Sequence, residues 1–199
     1  MRSMAFAAPL LLLAYGVLRW IDGLDGHRRG GPAWDVGHLA FLASMATFAL
    51  LAVALWRRAR LARRTALVAA AAAILGSACM IWVIVGDLSA SFQDGYPLPG
   101  PLRTAGPIAF VLGTIGLLSL QVASGRLPVW SPMLFFAGYT AISIDLDLLP
   151  LAGLILLGAL YPLAASAAPA RAARLRQRRE QAASASRRHE RPARPSRTA

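Results

Sequence analysis

The stretch VWSPMLFFAGYTAISIDLDLLPLAGLILLGALYPLAA, residues 129–165, is uncharged apart from one close pair, Asp145 and Asp147. Whether it forms one helix or two decides the fold. A single helix of this length would run about 55 Å at 1.5 Å per residue, against roughly 30 Å for the hydrocarbon core of a bilayer. It would also leave both carboxylates near mid-depth, where ionisable groups are costly. Two short spans, 129–144 and 148–165, joined at Asp145-Leu146-Asp147, avoid both problems. Pro150 then falls in the first turn of the second helix, where its missing N–H costs nothing.

Four further apolar runs precede this pair, at residues 4–21, 36–56, 66–86 and 105–124. The expected fold class is therefore all-α: a polytopic transmembrane bundle of six helices over residues 1–168, followed by an arginine-rich, mostly disordered tail over 169–199. Composition agrees. The 199 residues are 57% hydrophobic and only 15% charged, whereas a soluble domain usually carries about 25% charged residues. Cys79 is the only cysteine and sits in an apolar run, which excludes an intrachain disulfide and any CxxC motif. Between the third and fourth runs, SFQDGYPLPGPLR is rich in proline and glycine and is expected to lie over the mouth of the bundle.

Charge sets the orientation. With the N-terminus in the cytoplasm, the inner side receives seventeen of the 21 basic residues, all arginine: Arg2, Arg57, Arg58, Arg60, Arg63, Arg64, Arg126 and ten more from Arg171 to Arg197. The outer side receives Arg19, Arg28, Arg29 and Arg103 with all seven aspartates. A five-span chain would export the basic tail against the positive-inside rule. Six spans with both termini cytoplasmic, in the plasma membrane, is the reading that satisfies it. Trp20 and Trp34 then flank the first outer loop, and Trp56 and Trp130 lie at the inner boundary, as interfacial tryptophans do. Arg57, Arg58, Arg60, Arg63, Arg64, Arg171 and Arg174 are expected to meet anionic lipid headgroups, each contributing about 1 kcal/mol near the surface. Nucleic acid is the other partner a basic chain suggests, but the tail interleaves no aromatic residue with its arginines.

The polar residues of interest gather on the outer side. WIDGLDGHRRGGPAWDVGH, residues 20–38, supplies Asp22, Asp25, His27, Asp35 and His38, and the topology adds Asp87, Asp94, Asp145 and Asp147 to the same face. Carboxylates and imidazoles are zinc-type ligands. Their spacing matches neither an HExxH helix nor an EF-hand loop, and the alternative is a set of solvated acidic turns with Arg19 paired to Asp22. His38 falls about one turn inside the second span. It is expected either to pair structurally with an outer aspartate such as Asp145 or Asp147, or to serve a proton or metal role. Asp145 and Asp147 could themselves bind a cation, or simply accept backbone N–H bonds at the start of the last helix. No Asp, Glu, Lys or Arg occupies mid-depth, which counts against a proton-coupled transporter. Ser44, Thr47, Ser77, Thr114, Ser119, Thr140 and Ser143 are left to bond their own helix or a neighbour. The rows Ala69/Ala73/Ser77, Ala109/Gly113 and Ala40/Ser44 have the spacing that lets helices approach closely in lipid.

GRLPVWSP, residues 125–132, followed by IDLDLLP, residues 144–150, resembles the C-terminal part of small uncharacterised membrane proteins of actinobacteria. That resemblance implies a six-helix membrane bundle and brings no activity with it. No catalytic or cofactor-binding motif is present. The functional expectation is a non-enzymatic accessory or partner-binding membrane subunit, its partner a membrane protein or a second copy. A channel or small transporter with an outer Asp/His vestibule, and a metal-dependent membrane enzyme, stand as the alternatives.

Overall fold

The computed structural model describes residues 1–24, 31–59 and 62–165. The described residues form helices and no strand: α1 (Arg2–Asp22), α2 (Pro32–Arg58), α3 (Arg63–Leu88), the short α4 (Ala90–Gly95), α5 (Gly100–Ala123), α6 (Trp130–Ile144) and α7 (Leu149–Ala165), with a 3-10 turn at Leu146–Leu148. Five segments are long and apolar enough to cross a membrane: α1, α2, α3, α5 and the turn with α7, Leu146–Ala165. Long apolar helices in this number belong to a multi-pass membrane protein. Their outward faces agree, since Val68, Leu75, Leu112 and Met133 are each more than half exposed on a surface that water would not tolerate in such extent. The expected basic tail, with Arg171 and Arg174, lies outside the described residues, as do Arg60, Asp25 and His27.

The 129–165 stretch is broken at its aspartates. Asp145 leaves the helix with extended backbone (φ −151°, ψ 126°), and its side chain accepts the Asp147 N–H at 2.8 Å. That bond satisfies a donor that the new helix would otherwise leave free. Pro150 follows as the second residue of α7, where no N–H is needed. The resulting α6 is a separate helix of 15 residues, about 22 Å long and shorter than the five segments above.

Small residues set the packing distances. A Cβ on Gly76 of α3 would fall 2.5 Å from the Gly106 carbonyl of α5, and one on Gly113 would fall 2.5 Å from the Ala69 carbonyl. The two backbones touch, as expected where close packing rather than hydrophobicity holds helices together. Gly113 meets the Ala69/Ala73 row anticipated from the sequence. Gly76 and Gly106, which were not singled out, matter as much. In α1, Gly16 admits the Leu149-Pro150 backbone, and Gly153 of α7 admits Leu13.

Hydroxyls add cross-links in the same lipid-excluded space. Ser44 donates to Ala8 O at 2.7 Å and Ser131 to Ala159 O, tying α2 to α1 and α6 to α7. Thr47, Ser77, Thr140 and Ser143 instead donate to the carbonyl four residues earlier in their own helices. At the centre, Phe48 of α2, Phe110 of α5, and Phe135 and Tyr139 of α6 form one aromatic cluster. Its ring centroids are 5.1–6.2 Å apart, in mostly edge-on or tilted contacts.

The proline-rich connection after α3 is more ordered than its composition implies. Ser89 caps α4 through its hydroxyl, Trp82 packs against Phe92 in a tilted ring contact at 5.1 Å, and the Trp82 indole donates to Tyr96 O at 2.9 Å. α5 begins at Gly100, five residues before the expected span.

Candidate functional site

One end of the bundle collects the C-termini of α1 and α3, the N-terminus of α2 and the α6–α7 turn, and with them the aspartates. His38 is buried there, one and a half turns into α2. Its Nδ1 lies 2.8 Å from Trp34 O. A carbonyl only accepts, so Nδ1 carries the proton and Nε2 faces outward from that bond. Nε2 lies 3.9 Å from Asp87 Oδ2, too far for a hydrogen bond with a neutral ring and close enough to pair if the ring is charged. The Trp34 and Tyr15 rings enclose the imidazole at centroid distances of 3.9 and 5.4 Å.

The partner expected for His38, Asp145 or Asp147, is therefore corrected to Asp87. The reason lies in which helices are neighbours. α3 packs beside α2, whereas the α6–α7 turn packs beside α1. Asp145 is used as a cap, and Asp147 lies 3.9 Å from Arg19 Nε. The Arg19–Asp22 pairing is corrected in the same way, because Arg19 reaches across to the turn. The Trp20 indole joins it there, donating to Asp147 O at 2.8 Å. Asp35 sits exposed in the first turn of α2, where a carboxylate complements the helix dipole. Among the described residues no three His, Cys, Asp or Glu side chains gather as a metal-ligand set.

The opposite end carries arginines, and two of them close helix termini. The Arg126 guanidinium donates to Arg58 O at 2.9 Å, at the last residue of α2, and Gln121 Nε2 reaches Leu55 O at 3.5 Å. Arg2 Nε donates to Ala164 O at the end of α7. Carbonyls at a helix C-terminus lack intrahelical partners and carry partial negative charge, so a guanidinium suits them on both counts. Arg57, Arg58, Arg63 and Arg64 are exposed, with Arg63 placed 5.9 Å from the Trp56 ring centre.

A cavity towards the acidic end holds about 520 Å³, within the range of roughly 300–1,000 Å³ typical of small-molecule sites. Leu12 and Tyr15 of α1, Phe41 of α2 and Met80 of α3 form its back wall, with Pro107 and Val111 of α5 on one side and Tyr139 of α6 on the other. Its rim is made by the exposed Ile108 and Leu112 of α5 and the exposed Phe136 and Thr140 of α6. It thus opens sideways between α5 and α6, toward the surroundings of the bundle. The Thr140 and Ser143 hydroxyls are bonded to their own helix, so apart from the Tyr15 and Tyr139 phenols the wall presents mainly hydrocarbon. No carboxylate, imidazole or thiol lines this chamber.

A second chamber of about 300 Å³ adjoins it, sharing Phe41, Met80 and Pro107 as wall residues. This one is polar at its far side, where Asp87, Gln93 and Arg103 line it beside Cys79. Pro107 has a further effect. It has no N–H to donate to the carbonyl four residues back, so the Arg103 carbonyl loses its helical partner at the junction of the two chambers. Sequence reasoning missed this cleft because its walls are ordinary span residues. The legible signals were Pro107, a proline inside a span, and Arg103, an arginine on the side that holds few. Compared with known proteins, the chain matches no family model, no curated protein and no solved structure.

Proposed function

We propose that this is a six-span plasma-membrane protein, with both termini cytoplasmic, that holds a hydrophobic molecule drawn from the outer leaflet. Its role on this reading is that of a non-enzymatic accessory protein. The 520 Å³ apolar cavity opening sideways between α5 and α6 carries the proposal. A cavity that faces lipid at one side and is lined mainly by hydrocarbon suits an alkyl or isoprenoid chain. Six spans are supported by α6. It runs from Trp130, near the arginine end, to the acidic turn, and packs along α7 through Gly138 and Ser131. The arginine end then faces the cytoplasm, with Arg57, Arg58, Arg63 and Arg64 against anionic headgroups. The vestibule of a pore is less well supported, since the central aromatic cluster fills the middle of the bundle and His38 is enclosed.

The test is photolabelling in proteoliposomes with a diacylglycerol bearing a diazirine midway along one acyl chain. Adducts are expected to concentrate on Met80, Val111 and Phe136 over the outward-facing Val68 and Leu75. Ile108→Trp, which places a large ring on the cavity rim, should remove that excess. Adducts spread evenly over the cavity and the outer faces, and unchanged in Ile108→Trp, would overturn the reading.

A further inference from the structure

The apolar cavity adjoins a polar chamber, and that chamber is lined by Arg103, which no contact among the described residues engages. Arg19 is engaged by Asp147, and Asp87 in the chamber wall is turned to His38 at 3.9 Å. Arg103 is exposed, lines the chamber beside Gln93, and makes no hydrogen bond or ion pair among the described residues. It sits in the first turn of α5, a turn without an acidic residue, so the positive end of the helix dipole adds to its charge.

We infer that the two chambers together form the binding site of an anionic phospholipid. One acyl chain occupies the apolar chamber, and the phosphate sits against the Arg103 guanidinium and the Gln93 amide. This inference rests on the proposed function and adds selection by headgroup to it. Three observations carry it. The chambers adjoin, with Phe41, Met80 and Pro107 lining both. Their polarity runs in the order of an amphiphile, apolar between α5 and α6 and polar at the acidic end. At the polar end Arg103 offers an unpaired guanidinium, whose planar fork matches a phosphate with two parallel hydrogen bonds, while the Asp87 carboxylate of the same chamber lies 3.9 Å from His38. Gln93 is brought to the chamber by α4, which Ser89 caps and Trp82 holds against α3. The short helix thus serves as the support of a headgroup contact.

The experiment compares two diazirine probes with identical acyl chains, a phosphatidylglycerol and a diacylglycerol, in proteoliposomes of the full chain. The wild type should label its cleft residues in α3 and α5 with a preference of roughly fivefold for phosphatidylglycerol, the contribution of one arginine beside an anionic headgroup. Arg103→Gln should bring that preference to about unity while labelling by the diacylglycerol persists, and Arg103→Lys should keep part of it. Arg64→Gln, at the other end of the bundle, should change neither. Equal labelling by both probes in the wild type, or a preference that survives Arg103→Gln, overturns the headgroup site and leaves the cavity reading intact. Absence of cleft labelling by either probe overturns both.

Discussion

Tyr139 is buried among Phe110 and Phe135, and its hydroxyl has no hydrogen-bond partner among the described residues. An orphaned buried hydroxyl costs on the order of 1–3 kcal/mol. Tyr139→Phe, which keeps the ring and its packing, is therefore expected to leave the protein unchanged or to stabilise it by up to about 1 kcal/mol. Helix content followed on heating in detergent would show this, and a clear loss of stability would mean that the hydroxyl has a partner in solution. Two glycines make a sharper contrast. A Cβ at Gly113 would strike the Ala69 carbonyl, and backbone cannot swing aside as a side chain can. Gly113→Ala should destabilise by about 1–3 kcal/mol through overpacking. Gly158 of α7 meets nothing within 4 Å, so Gly158→Ala should gain up to about 1 kcal/mol of helix propensity. The same melting experiment reads both, and equal effects would remove close α3–α5 contact as the reason for the glycine. At this scale the sequence was half legible. His38 stood out as an ionisable residue inside a span, and the structure buries it in α2. Its partner did not, because hydropathy tells which end of a helix a residue occupies and not which neighbour it faces.

Helix ends show where charge and geometry meet. Arg126, on the α5–α6 connection, holds the last carbonyl of α2. Arg126→Ala should cost about 1 kcal/mol, the usual worth of a cation on a helix C-terminus, and should speed hydrogen exchange in the last turn of α2 before that of α3. Uniform exchange across both helices would argue against a local cap. Existence and type of the elements were readable, since a run of apolar residues near the length of a bilayer admits few alternatives to a helix. The break at Asp145 was readable for the same reason, as was the capping role now seen for its side chain. The short α4 was not. Its six residues carry no hydropathy signal, and its order comes from Trp82, which the sequence presents only as one more apolar residue of α3. The cleft was the least legible feature. A gap between helices depends on how far α5 and α6 diverge, and identical apolar residues would line a filled interface or an empty one.

For the whole molecule, the number of crossings is open to direct measurement. In a Cys79→Ala background, Asp94→Cys and Asp145→Cys should react with a membrane-impermeant maleimide in intact cells, and Thr65→Cys and Ser124→Cys only after permeabilisation. Protection of Asp145→Cys alone would leave α6 and α7 short of the outer surface and reduce the count below six. The brevity of α6 has another consequence. At 15 residues it reaches about 22 Å, and the hydrocarbon beside it is roughly 30 Å thick. On the six-span reading, lipids along that flank would shorten or tilt to meet it, a mismatch costing fractions of a kcal/mol per Å. That flank is also the one on which the cavity opens, so on the same reading the chains nearest the entrance would be the most perturbed. Capture should accordingly depend on membrane thickness. Labelling of Val111 and Phe136 by the same probe should rise as the host lipids are lengthened from fourteen-carbon to twenty-two-carbon chains, while labelling at Val68 on α3 stays level. The bilayer itself would then act as a regulator of what the protein holds, set by the length of a single helix.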